Sequence, residues 1–136
     1  MKMRWRWISK ETILAIHDEQ IAEHGGEPGL RSESLLDSAL ERPKNKAHYQ
    51  SSSLAQLAAS YAFGLARKHA FFDGNKRTAA VVSEVFLALQ GAELSATDQE
   101  IFQTFDSLAA GKISEEELTS FFAAHCRSMD EPSKFD

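Results

Sequence analysis

The chain has 136 residues, 43% of them hydrophobic, and a formal net charge of −5. That length bounds it to one domain with a single core, and the acidic balance argues against nucleic acid as the main partner. One cysteine, Cys126, excludes an internal disulfide and fits a reducing cytoplasm, with a buried inert thiol expected; no apolar run reaches membrane-spanning length.

Residues 1–7 are basic and aromatic but lack the apolar stretch of a signal peptide. Trp5 and Trp7, on alternate positions, suit a short extended segment, and Trp7 with Ile8 equally suits a staple on the first helix. Ser9 is the expected N-cap of a helix to about residue 23, with Ile13, Ile16, Gln20 and Ile21 on its inner face. Gly25-Gly26 stops it. Ser32 caps a second helix carrying Leu35, Leu36, Ala39 and Leu40, which Pro43 should end. Residues 44–53 then form a polar connector holding Lys44, Lys46, His48, Tyr49 and three serines. Helical spacing resumes over 54–68 (Leu54, Leu57, Ala58, Tyr61, Ala62, Leu65) and over 76–90 (Ala79, Val82, Val85, Phe86, Leu89). Thr97 with Glu100 and Ser114 with Glu117 make capping boxes for two further helices, one holding Ile101, Phe102, Phe105 and Leu108, the other Leu118, Phe121 and Phe122. No strand set is expected. The pattern predicts one all-α domain over residues 1–126, a bundle of about six helices, with a polar, fraying tail over 127–136.

The chemistry concentrates in the nine residues from His69 to Arg77, between the third and fourth expected helices. Asp73-Gly74 is a turn former, so the fourth helix should begin near Asn75. The first N–H groups of a helix lack intrahelical partners and its dipole end is positive, which makes that end an anion site. Lys76 and Arg77 fall in the same first turn, where cations oppose the dipole unless an anion offsets them. Asp73 beside a phosphate calls for a bridging divalent metal, and Mg²⁺ commonly binds through one or two carboxylates plus phosphate oxygens. An imidazole titrates near ~6.5, so the histidine here can accept a proton at neutral pH.

Other features carry less. Residues 106–117 have the length of an EF-hand loop, with Gly111 sixth and Glu117 twelfth, but Leu108 and Ala110 occupy the third and fifth positions, where oxygen ligands are needed. A helix–turn–helix connection with Gly111 as the stop explains the same residues. His17 and His24 lie seven apart with no third ligand in view, and are expected to be ordinary surface or half-buried histidines.

The run from His69 to Arg77 resembles the Fic/Doc family. His69, Phe71, Asp73, Asn75, Lys76 and Arg77 fill the Doc pattern H-x-F-x-D-x-N-K-R without a gap. Against the Fic pattern H-P-F-x-x-G-N-G-R-x-x-R, Ala70 replaces Pro, Lys76 replaces the second Gly and Ala80 replaces the final Arg. The segment from Gly25 to Arg31, followed by Leu35 to Pro43, is similar to the upstream Doc signature, so the resemblance covers roughly residues 7–125. It implies an all-α fold and a toxin of a toxin–antitoxin system: a cytoplasmic serine/threonine kinase moving phosphate from ATP, with Mg²⁺, to elongation factor Tu and so blocking translation. In that scheme His69 is the general base and Asp73 holds Mg²⁺. Gly74, Asn75, Lys76 and Arg77 hold the nucleotide phosphates, Lys76 and Arg77 also offset charge on the reacting groups, and Phe71 is a buried anchor. A flap at His48 and Tyr49 would align the target chain. Two other functions fit the same residues: transfer of AMP, as in most Fic proteins, and a binding module without catalysis. Many Fic proteins carry an inhibitory helix of the form [S/T]-x-x-x-E-[G/N]; no such segment occurs in this sequence, which points to an antitoxin acting in trans.

Overall fold

A computed structural model describes residues 4–129. Among these, six helices and one small sheet follow in the order α1 (Lys10–His24), α2 (Glu33–Tyr49), α3 (Leu54–Arg67), α4 (Asn75–Leu89), β1 (Ala92–Leu94), α5 (Asp98–Ala109), α6 (Glu115–His125) and β2 (Cys126–Ser128). The all-α expectation holds, and among the described residues no helix is long and apolar enough to cross a membrane.

The bundle is built round α3. Its alanines and leucines, Tyr61 and Gly64 are buried along most of its length, as a helix with little polar surface must be, and it packs against α2, α4 and α6. A Cβ at Gly64 would lie 3.3 Å from the Ala39 backbone, so glycine is what lets α2 and α3 approach. Tyr61 and Phe86 meet with ring centroids 4.8 Å apart, and Trp7 stacks on Phe86 at 5.9 Å. Trp7 therefore anchors the entering chain on Tyr61 of α3 and Phe86 of α4. Ile8 is buried, and its N–H donates to the Tyr61 hydroxyl at 3.3 Å.

Helix starts follow the caps. Ser9, Ser32, Ser53, Thr97 and Ser114 each accept from the backbone three residues on, and the last three close reciprocal boxes with Gln56, Glu100 and Glu117. Three expectations fail. Pro43 does not end α2, which runs on to Tyr49 and absorbs most of the connector. Proline removes one hydrogen bond to Ala39, but Pro43 is itself buried, and Arg42 and Lys46 on the next turns pair with Glu115 of α6. Packing outweighs the local penalty, and His48 and Tyr49 end a helix instead of forming a free loop. Second, β1 and β2 pair antiparallel with Glu93 opposite Arg127, so residues 127 and 128 belong to a strand, not to a frayed tail; residues 130–136 lie outside those described. Strands of three residues are too short for alternation to announce them. Third, the inner face of α1 is shifted: Ile13 and Gln20 are buried as expected, but His17 joins them, while Ile16 and Ile21 are only partly buried.

Candidate active site

Two loops clasp each other at one end of the bundle. The first covers residues 25–32 between α1 and α2, and the second covers 68–74 between α3 and α4. Leu30 and Phe71 form an antiparallel bridge. The Ala70 carbonyl accepts from the N–H groups of Arg31 (2.8 Å) and Ser32 (3.0 Å), and the Phe72 N–H donates to the Gly29 carbonyl at 3.4 Å. The upstream glycine-rich segment is thus the brace of the downstream motif. Gly26, at φ +117, is needed for this approach: a Cβ there would sit 3.1 Å from Cβ of Asp73.

His69 occupies the left-handed region at φ 53, the only described non-glycine residue to do so. It follows Lys68, the C-cap of α3, where a left-handed residue commonly closes a helix and glycine is usual. Arg31 compensates, with its Nε donating to the His69 carbonyl at 2.8 Å. The result is an exposed imidazole on a fixed backbone, with no hydrogen-bond partner for its ring among the described residues. Such strain concentrates at functional positions.

Phe71 is buried, as expected. Asn75 is buried as well, and its amide is spent on the loop: Oδ1 accepts from the Phe71 N–H (3.1 Å) and Nδ2 donates to the Phe71 carbonyl (2.9 Å). The side-chain amide is therefore occupied by the loop. What Asn75 offers an anion is its backbone N–H in the first turn of α4. Gly74, at φ 77, is the N-cap and leaves that end without a side-chain cap.

Asp73 is exposed, and its Oδ2 accepts from the Glu27 N–H at 2.7 Å. Lys76 is not free. Its ammonium lies 3.0 Å from Oδ1 of Asp106 on α5 and 5.2 Å from the centre of the exposed Phe102 ring. Arg77 donates to the Gly25 carbonyl at 3.0 Å, while its Nε is buried without a partner. Of the two cations of the first turn, Lys76 is offset by a carboxylate of the protein, whereas Arg77 meets only a neutral carbonyl among the described residues. His69, Phe72, Asp73, Gly74, Asn75, Lys76 and Arg77 line one cleft of about 250 Å³, with Ala66 and Ala109 beneath. A larger cleft, about 700 Å³, lies at the other end of α4 among Arg4, Arg6 and Gln90 and holds no comparable acid–base set.

Two residues of this site escaped the sequence reading. His17 is buried on α1, stacks on Phe71 with centroids 3.8 Å apart and an interplanar angle of 9°, and places Nε2 2.7 Å from the Asp73 carbonyl. Its signal was its place between Ile13 and Gln20 on the inner face of α1. Arg31 ended the quoted upstream signature, but nothing in the sequence said that it reaches His69.

The Fic/DOC family model matches residues 7–87, the span that carries both loops and α4. The chain belongs to the Fic/DOC family. It is 33% identical to Protein kinase doc of Escherichia phage P1 over 90 residues, 65% of this chain and 71% of that protein. It is 40% identical to Toxin Doc of Mycolicibacterium smegmatis over 74 residues, 53% of this chain and 57% of that protein. The chain thus spans little more than half of the length of the mycobacterial relative. The Fic/DOC motif of this chain is the loop just described, with Lys76 where Fic members have glycine.

Proposed function

We propose that this protein is the toxin of a toxin–antitoxin system and acts as a protein kinase, moving the terminal phosphate of ATP to a serine or threonine hydroxyl of a translation factor. The supporting observation is the convergence of His69, Asp73 and the N-terminus of α4 on one cleft, together with relatives named as a doc kinase and a Doc toxin. Elongation factor Tu is the target implied by the resemblance.

The residues fit the reactants. A cleft of about 250 Å³ is below the ~300–1,000 Å³ of sites that enclose a whole small molecule, so it suits a phosphate chain with the nucleoside at the rim. The unpartnered Arg77 Nε and the open N–H groups of α4 are donors in need of an acceptor. Asp73 lines the cleft and uses one carboxylate oxygen, Oδ2, on the Glu27 N–H, which leaves Oδ1 for a metal. No cluster of three or more potential metal ligands occurs among the described residues. One carboxylate completed by phosphate oxygens is a usual Mg²⁺ environment, and Mg²⁺ would supply charge neutralisation there. His69, exposed and fixed at its backbone, takes the proton of the attacking hydroxyl. Arg77 and the first-turn N–H groups stabilise charge on the phosphoryl group as it moves.

AMP transfer is the competing reading, and one observation favours it: with Lys76 held on Asp106, its side chain does not fill the space that glycine leaves open in Fic members. Purified elongation factor Tu incubated with this protein, ATP and Mg²⁺ separates the two by intact mass. The expected product carries one added phosphate, and label on the γ-phosphate of ATP follows it. Transfer of α-label with the mass of an adenylyl group selects the AMP reading, and an unmodified target removes the assignment of that target.

A further inference from the structure

We infer that His17 is a positioning residue that sets the phosphate-binding backbone of the cleft from beneath, an inference that rests on the function proposed above. The carbonyl of Asp73 can only accept, so the Nε2 of His17 carries the proton and donates to it across 2.7 Å. The peptide between Asp73 and Gly74 is trans, as are all the others among the described residues. In a planar trans peptide the C=O and the following N–H point in opposite directions. Drawing the Asp73 carbonyl down onto α1 therefore turns the Gly74 N–H away from α1, on the side of the cleft that Gly74 lines. That N–H donates to no described group, and it adds one donor to the open N–H groups of α4. The same bond fixes the main chain of Asp73, whose carboxylate is held from the other side by the Glu27 N–H.

His17 is itself immobile. It is 1% exposed and stacked on Phe71, the residue whose own N–H and C=O are both held by Asn75. A Cβ at Gly74 would come within 3.7 Å of the imidazole and 3.1 Å of Ile21, so α1 packs directly beneath the turn. A buried polar side chain that serves only the fold needs a partner somewhere. This one takes the single carbonyl whose direction decides which way the glycine N–H of the cleft points.

Two substitutions separate the donor from the ring. His17→Phe keeps the stack on Phe71 and deletes the hydrogen bond, whereas His17→Gln restores an amide donor near the position of Nε2. In protein labelled with ¹⁵N-glycine and ¹³C-carbonyl aspartate, wild type and H17Q should share the resting resonances of Asp73 C=O and Gly74 N–H. H17F should shift both while the remaining glycines stay in place. Titration with inorganic tripolyphosphate should move the Gly74 amide in wild type and H17Q but not in H17F. In phosphoryl transfer, H17F should lower kcat by roughly 10²-fold, the scale on which one misplaced backbone donor acts, with KM for the target protein unchanged and most of the rate recovered in H17Q. If H17F does not fold, H17M deletes the donor with a more adaptable side chain and takes its place in the comparison. Resonances, tripolyphosphate response and kcat that stay at wild-type values in the donor-less variant overturn the inference, as does a wild-type Gly74 amide that ignores tripolyphosphate. Failure of the kinase reading is a different result: wild-type protein that transfers nothing, with the Gly74 response still dependent on His17.

Discussion

At the scale of single residues, His69 is distinguished by conformation. A histidine held in the left-handed region by Arg31, with an unpartnered ring over a cleft, is poorly explained by folding needs alone. His69→Ala should keep the thermal midpoint and lower transfer about 10²–10⁴-fold, the range of a lost general base; full activity in a folded variant would remove the assignment. Lys76 makes a second case. Its bond to Asp106 joins two partly exposed side chains, an arrangement worth at most about 1 kcal/mol, so phosphate can compete for the ammonium. Asp106→Asn should leave stability nearly unchanged and lower KM for Mg·ATP, while Lys76→Gly should weaken transfer by removing a cation from the phosphates. An unchanged KM in D106N means that Lys76 does not reach the nucleotide. The sequence displayed the identity and spacing of the motif residues because they are contiguous. It did not display the turn of the Asn75 amide inward to Phe71, nor His17 beneath Asp73 across 56 positions of chain. The first depends on loop conformation across only four positions of chain and the second on tertiary packing, and periodicity encodes neither.

At the scale of elements, α3 connects core and chemistry. Its last residues lead into His69, so whatever steadies α3 steadies the position of that imidazole. Its N-terminus is closed by a reciprocal box in which Ser53 Oγ accepts from the Gln56 N–H at 3.1 Å and Gln56 Oε1 accepts from the Ser53 N–H at 2.8 Å. Ser53→Ala should cost about 1 kcal/mol, which at this chain length lowers the thermal midpoint by about 3–5 °C. Ser53→Thr should recover most of it, and a midpoint unmoved by the alanine would show that the box contributes nothing. Four of the five side-chain caps, at Ser9, Ser32, Thr97 and Ser114, were legible in the sequence, because a cap is a short-range device between a hydroxyl or carboxylate and a backbone three residues away; the box of Ser53 with Gln56 was hidden in the serine-rich connector. The far end of α2 was not. Proline signals a stop locally, but the burial of Pro43 and the pairing of Arg42 and Lys46 with Glu115 are decided by where α6 lies. The paired strands β1 and β2 were hidden for a related reason: each is three residues long and finds its partner about 34 positions away, as Glu93 finds Arg127.

At the scale of the whole molecule, the bundle holds its reactive cleft open. The two loops are tied to each other, and α4 presents its uncapped N-terminus between them. No described side chain covers His69, and the sequence contains no segment of the inhibitory form found in many Fic proteins. On the function proposed above, an open site of this kind would be restrained in trans by an antitoxin segment that folds on binding to this protein. Induced expression of the wild-type chain alone in bacteria should therefore arrest growth, and the same chain carrying His69→Ala should not. Co-expression of the cognate antitoxin should restore growth without altering the amount of toxin present. Arrest by the folded His69→Ala variant would move the toxic action away from this cleft. Undisturbed growth in the presence of soluble protein that is active on its target in vitro would remove the toxin reading and leave an enzyme with a different physiological role.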